Sequence, residues 1–110
     1  MAVGPIALDR LITAARGGGV HYREFLRATA LSAGLYFLPA GSDDRQVPHR
    51  EDELYLVLRG RARFRLGADD REVGPNDLIY VAAGAEHRFH SVLEELVLLV
   101  VFAPPETPAP

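Results

Sequence analysis

His49 and Glu53 flank a short charged turn, Arg50-Glu51-Asp52, and His87 opens a later stretch that begins after Gly84. Two neutral imidazoles and one carboxylate on one face of a divalent ion leave the opposite positions open, as non-haem Fe(II) oxygenases and catalytic zinc sites require. Open positions let substrate oxygens bind beside water or O2. A carboxylate there offsets part of the ion's charge, whereas buried alone it would be costly. The same residues also suit a plain hydrogen-bonded pair, and H-x3-E with one distant histidine is by spacing alone a weak metal signature.

Strand alternation sorts the neighbours of these residues. His90, three positions from His87, should face away from it, and Phe89 should share its side. By the same rule Tyr55 and Val57 fall on the side of Glu53. Tyr55, Val57 and Phe89 therefore line an apolar pocket with one phenol, suited to a small organic molecule with an oxygen anchor, or they simply fill the interior.

The elements that must hold these groups follow from the periodicity. Ile6, Leu8, Leu11, Ile12 and Ala15 have close to helical spacing behind Pro5, which suits a first turn, and Gly17-Gly18-Gly19 ends the run. From Val20 the period becomes two. Strands are expected over 20–27, 31–38, 53–58, 61–66, 78–82, 87–93 and 96–103, with Arg59-Gly60 a tight hairpin turn and Glu94-Glu95 a charged one. Arg61, Arg63 and Arg65 then form the wet face of a strand, a solvated row rather than an anion site. About eight short strands without a long helix argue for an antiparallel sandwich or barrel. Leu96 to Ala103 is apolar at both parities and needs cover on both faces, the second most simply from another subunit, which predicts a homodimer.

Composition narrows the function classes. A chain of 110 residues with 48% hydrophobic residues suits one domain with an ordinary core. The net charge is -3 and all 12 basic residues are arginine, which speaks against a nucleic-acid partner. With no cysteine, any metal must be held by nitrogen and oxygen. Asp9 and Arg10 interrupt what would be a signal peptide core, and Leu96–Ala103 is far short of the roughly 20 residues of a membrane span, so a cytoplasmic location without membrane contact is expected.

Two longer patterns bind these residues together. Gly41 to Gly60 reads G-x5-V-x-H-x3-E-x6-G, and Asn76 to Ser91 reads N-x5-A-x-G-x2-H-x3-S. They resemble the two motifs of the cupin superfamily, G-x5-H-x-H-x3,4-E-x6-G and G-x5-P-x-G-x2-H-x3-N, in the same order. The resemblance implies an all-β, double-stranded β-helix (jelly-roll) barrel with a short N-terminal helix in front of it. It also makes His49, Glu53 and His87 the metal ligands, with Fe, Mn, Ni or Zn as the divalent ion. Val47 stands where the family has its first histidine, and Asn76, Ala82 and Ser91 replace a glycine, a proline and an asparagine. Gln46 has the wrong strand parity to replace that histidine unless a bulge re-aims it, so water is the expected fourth ligand.

The expected organisation is a helix and glycine elbow over 1–19, the barrel over 20–103, and a disordered Pro-rich tail over 104–110. The expected function is a small metal-binding cupin, a dioxygenase or isomerase acting on a small chelating molecule. The alternative is a non-catalytic small-molecule-binding or regulatory module.

Overall fold

Where the apolar period switches from helical to alternating, the chain switches from helix to sheet. The computed structural model describes residues 4–107, in which α1 (Leu8–Ala15) precedes β1 (His21–Arg27), β2 (Ser32–Leu38), β3 (Asp52–Leu66), β4 (Asp69–Val73), β5 (Leu78–Val81) and β6 (His87–Ala103). Every pairing is antiparallel, in the order β1-β2-β6-β3-β4, with β5 on β3. This is the all-β architecture with one short helix that the sequence predicts.

Two expected turns are absent. Arg59-Gly60 and Glu94-Glu95 do not end strands but lie inside β3 and β6, which run side by side and shift register between Val57 and Arg63. Gly60 explains this: at φ 96° its backbone presses on the Glu95 carbonyl, where a Cβ would come within 2.1 Å. The glycine serves as a bulge that bends two paired strands together rather than as a hairpin corner. Each long strand thereby serves two parts of the curled sheet, and fewer, longer strands replace the expected short ones.

The inward faces of both halves of β3 and β6 make one core, including Tyr55, Val57, Phe64, Phe89, Leu98 and Phe102. A second cluster lies on the outer face, where Ile12 of α1 packs on Leu35, Phe37 and Val97. The other parity of the last strand is thus covered in part by the chain's own helix, which removes the simplest argument for a second subunit at that place. Apolar exposure persists farther along the sheet: Leu54 is cross-strand from Tyr80, and these two and Leu78 are 39%, 57% and 67% exposed.

In the segment expected as a disordered tail, residues 106 and 107 make polar contacts with the barrel. The Glu106 N–H donates to Ser32 Oγ at 2.9 Å, Arg27 Nη2 donates to the Glu106 carbonyl at 2.8 Å, and Thr107 Oγ1 donates to Glu51 Oε2 at 2.7 Å. Buried Ser32 and Glu51 give a Pro-rich segment polar anchors that hydrophobic patterning does not register. Residues 108–110 lie outside the described residues. Among the described residues no helix is long and apolar enough to cross a membrane.

Candidate functional site

β3 turns Glu53 inward at its second residue and Tyr55 and Val57 after it, and β6 turns its first residue, His87, into the same interior. His49 arrives from the loop before β3. Its carbonyl accepts the Gly84 N–H at 2.7 Å, which ties that loop to the turn leading into β6. The two imidazoles consequently approach, with ring centroids 6.2 Å apart.

The polar contacts form one chain through the interior. His87 Nδ1 donates to the Ala85 carbonyl at 2.9 Å, so its Nε2 is left to face Tyr55 OH at 3.1 Å and Glu53 Oε1 at 3.3 Å. Gln46 Nε2 donates to Tyr55 OH at 3.2 Å, and His49 Nε2 donates to Gln46 Oε1 at 3.0 Å. His49 Nδ1 stands 3.5 Å from Glu106 Oε2 in the C-terminal segment. Burial opposes the charging of His87, but Glu53, the Ala85 carbonyl and Asp44 outweigh it and raise its pKa. Burial, and then Glu53, push the Tyr55 phenol well above its ordinary range, so it stays protonated.

Gln46 points into this cluster, while Val47 points out and is 71% exposed. The parity argument against Gln46 fails because residues 42–49 are not strand, and alternation has no force there. Asp44 sets that path. It is 4% exposed and accepts from Tyr36 OH at 2.8 Å, the Gln46 N–H at 3.2 Å and the Phe89 N–H at 2.9 Å. Burial and then the Asp44 charge also raise the pKa of Tyr36, a residue that strand patterning could not connect to the site. The only signal available was an acid flanked by loop residues two positions before a glutamine.

His90 turns to the outer face, where its Nε2 lies 2.9 Å from Asp70 Oδ2. Val57 and Phe89 are 1% and 0% exposed within the core, Phe89 edge-on to Tyr55 at 5.0 Å. Neither of them, nor Tyr55, lines the solvent-open cleft beside His87, which is walled instead by loop 43–48 with Arg65 and Arg88. Tyr55 reaches the polar cluster through its hydroxyl alone.

Among the described residues no three His, Asp or Glu side chains are arranged as a ready ion cage. The donor chemistry nevertheless fits a cation. Glu53 is 1% exposed and neither of its oxygens has a hydrogen-bond partner, a costly state for an isolated carboxylate. A neutral His87 with its proton on Nδ1 presents a lone pair beside those oxygens, so two acceptors face each other. A proton or a metal ion resolves that conflict.

A model of the Cupin domain matches residues 34–102. An uncharacterized protein of Streptomyces coelicolor is 43% identical over 100 residues, which are 91% of this chain and 95% of that one. Among solved structures, a protein of Thermus thermophilus is 26% identical, with TM-score 0.77 over 92% of this chain and 97% of that one. The DMSP lyase DddQ of Ruegeria pomeroyi is 23% identical, with TM-score 0.73 over 77% of this chain. This chain spans 47% of the lyase, and the likeness is one of fold.

Proposed function

The chain belongs to the cupin family, and from that premise we propose that it is a small metal-binding cupin whose divalent ion is held by His49, Glu53 and His87. The observation that carries this reading is the buried Glu53 carboxylate, without a hydrogen bond and 3.3 Å from the lone-pair nitrogen of His87. Gln46 Oε1 is the oxygen donor that takes the place left by Val47. Fe, Mn, Ni and Zn all suit such a set. A bound ion would supply Lewis acidity toward a small chelating molecule, in a dioxygenase or isomerase reaction.

The chain's own groups have separate tasks in this proposal. Ala85 fixes the tautomer of His87, and Glu106 faces Nδ1 of His49, the second contacts that orient ligating imidazoles. Tyr55, protonated and anchored by Gln46, holds a proton at its hydroxyl beside His87. Val57 and Phe89 close the interior behind it, and exclude water.

One observation favours a second reading. His49 Nε2 is already engaged by Gln46, which suits a non-catalytic module that binds a small molecule without turning it over. We place the homodimer contact of either version on the exposed Leu54, Leu78 and Tyr80 surface. Metal analysis of tag-free protein tests the main reading. Stoichiometric metal should vanish in His49→Ala and in His87→Ala and persist in His90→Ala; a metal-free parent, or equal loss in all three, overturns it. Oxygen uptake with small chelating molecules separates the enzyme from the module, and light scattering of Tyr80→Glu against the parent tests the dimer.

A further inference from the structure

The cleft beside His87 has a volume of about 730 Å3, and its walls carry Arg45, Arg65 and Arg88. Arg65 of β3 and Arg88 of β6 are direct cross-strand partners. Like charges placed opposite each other weaken a sheet, so the pair is unfavourable as a structural device. Two arginines of β3 have a carboxylate within reach, Arg63 donating to Asp70 at 3.0 Å and Arg59 lying 3.6 Å from Asp9, whereas Arg61, like the cleft arginines, has no close one among the described residues. Arg65 has only a long contact, 3.5 Å to an Asp70 oxygen that His90 also approaches, and among the described residues Arg45 and Arg88 have no carboxylate partner.

The cleft also contains acids. Asp44 is consumed by its bonds to Tyr36, Gln46 and Phe89. Asp43 and Glu86 are on the rim, and neither pairs with the three arginines. The opposite side of the cluster, at His49, is crossed by the C-terminal segment through Glu106.

We infer that this cleft binds a small organic oxyanion, its carboxylate or phosphate held across Arg65 and Arg88 with Arg45 on the facing loop. Planar guanidinium forks match both oxyanions, and one anion between two facing arginines removes the repulsion that the empty pair carries. The inference goes beyond the proposed function, and the binding does not rest on that reading.

The test is an NMR titration of the full-length, metal-free protein with sodium acetate, inorganic phosphate and, as a neutral control, glycerol. Saturable shifts are expected at the amides of 44–47 and 87–88 with acetate or phosphate and not with glycerol, the tighter anion telling carboxylate from phosphate. The Arg65→Gln/Arg88→Gln double variant should bind about tenfold more weakly or worse, since a hydrogen bond to a charged group is lost at each site. Its melting temperature without anion should rise, because the facing charges are gone. Arg45→Gln, on a loop outside the sheet, guards against a folding artefact, and Arg71→Gln on β4 should leave the affinity unchanged. Shifts that never saturate, or an affinity that survives both arginine variants, overturn the inference. Metal content of the same samples reports separately on the His49, Glu53 and His87 centre, so the two ideas fail independently.

Discussion

His87 Nε2 and Glu53 Oε1 face each other across 3.3 Å, with both side chains only 1% exposed. If this pair exists to stabilise the fold, breaking it should cost about 3–5 kcal/mol, the usual penalty for orphaning a buried charge. If it awaits a cation, Glu53→Gln removes a poorly satisfied charge and should change the metal-free stability by less than about 1 kcal/mol. The same variant should lose the stabilisation that added metal gives the parent, about 2.7 kcal/mol at a hundredfold excess over Kd. Urea unfolding with and without metal separates the two. A large loss in metal-free protein would make the pair structural.

Gly60 and Gly41 both have positive φ, 96° and 75°, yet only Gly60 lies against another strand. Gly41→Ala should cost about 1 kcal/mol for its left-handed backbone. Gly60→Ala adds a Cβ within 2.1 Å of the Glu95 carbonyl and should cost at least about 3 kcal/mol by forcing β3 and β6 apart. Chemical denaturation of both variants checks the order. Equal costs would mean that the bend at Gly60 relaxes freely.

Asp70 on the outer face accepts from Arg63 Nε at 3.0 Å and lies 2.9 Å from His90 Nε2. Desolvation works against its charge, but His90 and Arg63 outweigh it and hold the carboxyl below its ordinary 3.8. A folded pKa below the unfolded one gives stability that is present above 3.8 and lost as the pH falls from there through the lowered value. Asp70→Asn should therefore be less stable than the parent at neutral pH and lose less on acidification. Urea midpoints at neutral pH and on the acid side of 3.8 check this; parallel acid losses in the two proteins would assign the pH dependence elsewhere.

The barrel was legible because alternation and helical spacing are local. Ile12 could be read as the buried stripe of a helix, and Tyr55 and Phe89 as inward residues, from spacing alone. What covers Val97 could not, because an apolar residue does not say whether its neighbour comes from α1 or another subunit. Gly60 announced a break in pattern without saying whether the break was a hairpin turn or a bulge, since both need positive φ. Gln46 and Asp44 were hidden for a different reason. Outside a strand, side-chain direction is set by individual hydrogen bonds, such as those from Tyr36 OH and the Phe89 N–H to Asp44, and these have no period.

The C-terminal segment was also hidden, and it touches the site directly. Glu106 is fixed by its own backbone, through Ser32 Oγ at 2.9 Å and Arg27 Nη2 at 2.8 Å, and its carboxylate then lies 3.5 Å from His49 Nδ1. Burial and the nearby Glu51, Glu53 and Glu24 raise the pKa of Glu106, with His49 the group that opposes them. A carboxylate kept in such company suits orientation of an imidazole, and partners of this kind typically account for about 10–100-fold in metal affinity. Glu106→Ala should weaken metal binding by about tenfold or more, and Glu106→Gln, which keeps an acceptor of the same shape, should recover part of that loss. Ser32→Ala leaves the Glu106 N–H without its partner and should reduce both stability, by about 1–3 kcal/mol, and metal affinity. Competition titrations with a chromophoric chelator measure the affinities. If Glu106→Ala, Glu106→Gln and Ser32→Ala all bind metal as the parent does, the segment only packs against the barrel and His49 is oriented by Gln46 and its own loop.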